Sequence, residues 1–200
     1  MAIKVANNQS MTGITALPSA ISGGAWTLIS TTTASSSATL SITSGLDDTY
    51  DAYCFKFINI HPASSSFLTF QASTDGGSNY NTTCTSSIFS AYQNESGSST
   101  ALGYNTSRDA AQSTSFIPLQ VDGVYNDSDS SFSGQLFFYD PSDTTFVKHF
   151  IFSDSSYGNV TAFSDYTAGY FNTTSAINAM QFKMDSGNLD AGVIKLYGIS

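Results

Sequence analysis

The side chains able to do acid–base, nucleophilic or metal chemistry are few and scattered. Two histidines (His61, His149) and two cysteines (Cys54, Cys84) stand beside 15 acidic residues, of which Glu95 is the only glutamate. Acyl transfer needs a nucleophile, a base within hydrogen-bond reach and an oxyanion hole. Serines abound, but no G-x-S-x-G elbow is present. His61 precedes Pro62 in NIHPAS, at what reads as a strand end, and His149 sits inside the apolar run FVKHFIF. A strand histidine with satisfied hydrogen bonds is the expectation for each. Glycoside hydrolysis requires two carboxylates flanking a cleft. Here the aspartates gather in Ser/Asn/Gly-rich stretches, where such a side chain bonds nearby backbone N–H groups and caps turns. The densest of these, NDSDSS at Asn126 to Ser131, opens like an EF-hand loop but lacks its glycine and closing glutamate. It reads as a surface turn. The histidines and cysteines show no zinc spacing, and there is no P-loop or dinucleotide fingerprint. The chain is therefore read as a non-enzyme, with no catalytic residue, cofactor or metal expected.

The composition points to a folded β protein. Hydrophobic residues make up 40% of the 200, aromatic residues 14% and charged residues only 10%, well under the roughly 25% charge of an average domain. The net charge is −9, and the cations are Arg108 and five lysines. That balance lacks the basic footprint of a nucleic-acid binder. No apolar run reaches the roughly 18 residues of a membrane-spanning helix, so neither nucleic acid nor membrane is an expected partner. The start, MAIKVANNQSMTG, has no apolar h-region. With no export expected, Cys54 and Cys84 are read as buried free thiols, a disulfide being the alternative.

Elements that would position these residues follow from periodicity. Residues 1–25 are polar with single spaced apolar residues: Ile3, Val5, Met11, Ile14, Leu17 and Ile21. They are read as an extended N-terminal arm, either loose or laid along a neighbouring subunit with those residues as pegs. Residues 26–200 read as a single domain of short strands. ATLSIT alternates, with Ala38, Leu40 and Ile42 on one face. AMQFKMD alternates likewise, and YDAYCFKFINI is apolar on both faces, as a central strand is. Pro118 in FIPLQV marks an edge strand or bulge. DGGSN, Asp75 to Asn79, reads as a hairpin turn between its flanking strands. Ser90 to Thr114 reads mostly as loops, with room for a helical turn near Arg108. The last ten residues, AGVIKLYGIS, read as a strand paired inside a sheet. Many short strands without helical periods predict two packed antiparallel sheets, an all-β sandwich of jelly-roll type.

Tyrosine among Ser, Asn and Gly suits contact surfaces, since it offers area at low entropic cost and a polar tip. Tyr92, Tyr104, Tyr125, Tyr157, Tyr166 and Tyr170, read as loop residues, are the candidate surface contacts, though the same rings could rim the core.

The segments FKFINIHPASSSFLTFQASTDGGSNYNTT and DYTAGYFNTTSAINAMQFKMDSGNLDAGVIKLYGIS resemble a group of small virion structural proteins of tailed, often marine, bacteriophages. The likeness runs from about Met11 to Ile199 and is strongest at FINIHP and GVIKLYGI. It implies a β-rich protein of the virion surface, assembled in the host bacterial cytoplasm as a homo-oligomer, with a trimer favoured. Its partners would be other virion proteins of capsid or tail. The leading expectation is a capsid decoration (cement or head-fibre) protein. A tail-fibre or receptor-binding module gripping a host surface glycan is the alternative.

Overall fold

The computed structural model of the protein describes residues 26–200. The N-terminal arm and its pegs Ile3, Val5, Met11, Ile14, Leu17 and Ile21 lie outside the described residues. Thirteen strands, and among the described residues no α-helix, make up the fold. In chain order they are β1 (Trp26–Thr33), β2 (Leu40–Ile42), β3 (Ala52–Pro62), β4 (Leu68–Ser73), β5 (Cys84–Asn94), β6 (Thr100–Tyr104), β7 (Ala110–Ser113), β8 (Ile117–Pro118), β9 (Ser131–Tyr139), β10 (Lys148–Gly158), β11 (Thr161–Phe171), β12 (Ala179–Met184) and β13 (Leu189–Ile199).

These strands form two antiparallel sheets. The four-stranded sheet runs β2-β12-β4-β8, and the nine-stranded sheet runs β1-β13-β3-β9-β10-β11-β5-β6, with β7 pairing β5 off that path. The order β1-β13-β3-β9 on one sheet matches β2-β12-β4-β8 on the other. Each strand of the small sheet is joined to the large sheet on both sides in sequence, from β1 to β2 to β3, β3 to β4 to β5, β7 to β8 to β9 and β11 to β12 to β13. This is the double Greek key of a jelly roll. Two insertions, β5–β7 and β10–β11, widen one of its sheets.

The two sheets are held face to face by aromatic side chains. Phe182 of β12 meets Phe55 and Phe57 of β3 at 5.2 and 5.3 Å between centroids, edge to face. Phe70 of β4 meets Phe150 and Phe171 at 5.0 and 5.7 Å. All six rings are fully buried, and edge-to-face pairs add about 0.5–1.5 kcal/mol each beyond burial. Of the alternations read from sequence, Met180, Phe182 and Met184 of β12 and Leu40 and Ile42 of β2 point into this core, while Ala38 lies outside β2 and is exposed. Pro118 sits on the edge strand β8, bonded only to β4. The closing strand β13 lies between β1 and β3.

Two local readings need correction. DGGSN is not a hairpin, because β4 and β5 belong to different sheets. It is a crossover loop built on Asp75, whose carboxylate accepts from the Ser73 hydroxyl and from the Asn79 backbone and side-chain amides. Ser90 to Thr114 is not mainly loop: it holds the end of β5 and all of β6 and β7, joined by turns at residues 95–99 and 105–109, with no helix near Arg108. Every residue of β6 is exposed, so the alternation that marks a half-buried strand is missing.

Cys54 and Cys84 are free and buried, as expected. They lie on β3 and β5, with β9, β10 and β11 between those strands.

The hairpin joining β10 to β11 has only Asn159 and Val160 at its tip, with φ of 49° and 55°. A two-residue turn with both φ positive favours Asn-Gly, and a β-branched residue there is strained. Val160 is also 53% exposed, so its side chain gains little from packing. Val160→Gly is expected to stabilise the protein by about 1 kcal/mol, read as a higher urea midpoint at unchanged m-value.

Candidate functional site

Side chains alternate across a strand, so residues of the nine-stranded sheet that do not enter the core stand on its opposite, outer face. Register aligns them into rows. One runs Phe137–Ile151–Ala168–Ser87 across β9, β10, β11 and β5. The next runs Gln135–Ser153–Tyr166–Phe89–Tyr104, ending on β6. Phe89 and Tyr166 stack at 5.1 Å and 11°, yet both remain exposed, as do Ile151 and Leu102. At the other end of the sheet, Trp26 packs edge-on against Phe137 and Tyr197, each at 5.8 Å, and the Lys56 ammonium lies 4.6 Å from its ring centroid. Tyr197 and Phe137 are the register partners of Cys54. The indole thus roofs that thiol. Burial pushes Cys54 up to about 12 against the opposing pull of Lys56, and pushes Cys84 up to about 12 as well.

Two adjoining hollows cross this face. One, of about 570 Å³, is lined by Thr85, Ser87, Tyr139, His149, Ile151 and Tyr170, among others. The other, of about 590 Å³, shares Tyr139 and His149 and adds Asp140, Asp143, Phe146 and Thr174. Its rim is braced. Asp143 accepts from the backbone N–H groups of Thr145 and Phe146, and these bonds hold its carboxyl below the ordinary range. The buried Lys148 ammonium donates to the carbonyls of Phe146 (2.6 Å) and Thr173 (3.4 Å). Phe146 is therefore held out at 69% exposure on a fixed loop. Rings, hydroxyls and a carboxylate in an open trough can stack and hydrogen-bond a partner.

The sequence-predicted tyrosines divide between the faces, and five of the six lie in strands rather than loops; only Tyr125 sits in a connection. Tyr104 and Tyr166 join the outer face, Tyr170 lines the first hollow against His149 at 6.2 Å, and Tyr157 shares their parity on β10. Tyr92 points to the inner side, 6.1 Å from Phe163. Tyr125 packs on Gly158, where a Cβ would come within 2.3 Å of its ring. His61 is satisfied as expected, its Nδ1 lying 2.7 Å from the Ser130 carbonyl. His149 also lies on a strand, β10, with its ring exposed on the outer face. Sequence reasoning missed Trp26, Phe89, Phe137, Tyr139 and Ile151. For Phe137, Tyr139 and Ile151 the signal was FSGQLFFYD and FVKHFIF, apolar on both parities, which reads equally as a strand buried on both faces.

Among the described residues, no group of three or more His, Cys, Asp or Glu is arranged to hold a metal ion. Comparisons with protein-family models, with curated proteins and with solved structures find no match.

A thiol with so high a pKa is unreactive, so neither cysteine of the native protein should react with a disulfide reagent. Trp26→Ala removes the roof over Cys54 and is expected to release one reactive thiol per chain, Cys84 staying protected. No labelling, or labelling of both thiols at once, would contradict this account.

Proposed function

We propose that this chain is a non-enzymatic structural protein of a tailed-bacteriophage particle, a decoration protein on the capsid exterior assembled as a homo-oligomer. The observation that carries the reading is the outer face of the nine-stranded sheet. It is broad, rich in aromatic residues and free of carboxylates along the rows described above, on a chain otherwise clad in Ser, Thr and Asn. Extended apolar surface of this kind marks a protein–protein contact, and closed cyclic symmetry lets one such patch pair repeatedly. A trimer is the favoured form, and residues 1–25 serve as its attachment element. The resemblance at FINIHP and GVIKLYGI supports placing the oligomer on a phage particle.

A second reading, a receptor-binding module for a host surface glycan, is favoured by the two hollows around Tyr139, His149 and Tyr170. A sugar ring presents an apolar C–H face suited to an aromatic ring, and its hydroxyls suit Asp140, Thr85 and Ser87.

Antibody-gold labelling of intact particles from the encoding phage separates the two, with label over the head expected and label at the tail favouring the receptor-binding reading. In solution, Ile151→Asp together with Phe89→Asp is expected to convert the oligomer to monomer in sedimentation velocity. On a glycan array the decoration reading expects no binding, whereas binding lost in Tyr170→Ala would favour the second reading.

A further inference from the structure

Beneath the outer face, on the inner side of the same sheet, an apolar core gives way to a polar row. Across β9, β10, β11, β5 and β6 it reads Gly134–Asp154–Asp165–Ser90–Gly103. Asp154 and Asp165 fall between the paired Ser153–Tyr166 and Ser156–Phe163, where the β10–β11 ladder is interrupted and the Asp165 N–H turns to the Asp154 carboxyl. Both are buried, Asp165 to 1% exposure. Gly134 makes the space: a Cβ there would meet that of Asp154 at 2.6 Å.

The row is roofed by residues 119–124, which follow β8. Gln120, fully buried, acts as a bolt between the sheets. Its Oε1 accepts from the Leu68 N–H at 3.0 Å, and its Nε2 donates to Asp154 Oδ2 at 2.6 Å. Asp154 Oδ1 accepts from the Asp165 N–H at 3.0 Å. Thr167 donates to the Leu119 carbonyl at 3.1 Å, and Val124 exchanges backbone hydrogen bonds with Ser66. The roof's Val121 N–H and the Ser90 hydroxyl lie near enough to Asp165 to draw its pKa down, but neither makes a hydrogen bond of ordinary geometry to its carboxyl oxygens, and the Ser156 hydroxyl is unpartnered too.

Few charges face the pair. Asp122 comes from the roof, with Arg108 beside it. Lys56 lines a hollow on the other side of the sheet that reaches Asp154 past Gly134. Tyr92 and Tyr104 line a neighbouring hollow with Asp122, Tyr104 donating to Asp109 at 2.6 Å. β5, β6 and β9 offer only Ser90, Gly103 and Gly134 along the row.

We propose that Asp154 and Asp165 form a proton-gated latch for residues 119–124, closed while the pair retains a proton and loosened when both carboxyls ionise. Two buried carboxylates this close cannot both ionise without large cost. Burial and the Asp165 charge push Asp154 up to about 8; burial, with the Asp122 charge, pushes Asp165 up to about 6. The sign follows. The closed state holds more protons than an opened one, whose carboxyls return to about 3.9. Closure is thus fully favoured below about pH 4 and weakens as pH rises toward 8. A doubly charged pair also repels Asp122, which the roof itself carries.

The test is hydrogen exchange on the full chain at pH 5.5, 6.5 and 7.5, corrected for intrinsic rates. Opening of the Leu119 and Val124 amides is expected to grow about thirtyfold from about pH 5.5 to 6.5, where both carboxyls contribute, and about tenfold from 6.5 to 7.5, while core amides such as Phe55 stay protected. Asp165→Asn should lessen that dependence, leaving only the part that burial of Asp154 alone sustains. Opening that is unchanged with pH in the wild type, or equally pH-dependent in Asp165→Asn, overturns the latch. If Asp165→Asn does not fold, carboxyl carbon NMR of the wild type decides: two aspartates titrating above pH 5.5 support it, none overturns it. Calcium that restores protection at pH 7.5 also overturns it, by making the pair a cation site.

Discussion

A four-stranded sheet can cover only about half of a nine-stranded one, and most features of this protein follow from that mismatch. Where the sheets face each other, Phe70 and Phe182 meet the phenylalanines of β3, β10 and β11, and the packing there is aromatic. Beyond β9 the large sheet outruns its partner. The inner faces of β10, β11 and β5 must then be covered by the chain itself, and residues 119–124 do this with backbone groups that need hydrogen bonds. That need accounts for the change of chemistry along single strands. β10 reads Phe150 and Phe152, then Asp154 and Ser156. β11 reads Phe171, then Thr167 and Asp165. The polar ends receive a peptide segment; the apolar ends receive a sheet.

The jelly roll itself was legible because its strands obey the half-buried rule: β2 and β12 alternate, and β13 is a long apolar run. What was not legible was pairing over distance. DGGSN has the chemistry of a hairpin tip, and nothing local says that its flanking strands join different sheets. β6 has no buried residue, so it carried no periodic signal and passed for loop. The outer face was hidden by a real ambiguity, since β9 and β10 are apolar on both parities. Such strands fit a sheet covered on both sides and a sheet whose second face is an exposed contact surface equally well. The tyrosines were chosen for their Ser/Asn/Gly neighbours, a turn-like composition that here belongs to strands. Only their parity decides which face they serve, and parity requires the register.

The buried aspartates were read as turn caps for the same reason. Asp154 sits in SDSS and Asp165 in SDY, indistinguishable by composition from the capping aspartates Asp75 and Asp143. Exposure separates the two kinds. Asp75 and Asp143 accept several hydrogen bonds in the open, which lowers their pKa. Asp154 and Asp165 lie inward, where burial raises it.

Charge placement gives the outer face an orientation in any assembly. Lys56 and Lys195 are register partners on adjacent strands, with Lys56 held over Trp26 and Tyr197. Two like charges side by side cost little while water screens them, and more once a partner removes the water. A neighbour seated on this end of the face is therefore selected for a carboxylate or carbonyl that answers the lysines. The aspartate-rich turns of a chain with a net charge of −9 can supply that group from a second copy. The aromatic stretch around Phe89 and Tyr166 carries no charge along its rows; the nearest carboxylates on that side are Asp140 and Asp143, at the hollow beside Tyr139. In the assembly proposed above, contact area would come from one end of the sheet and choice of partner from the other.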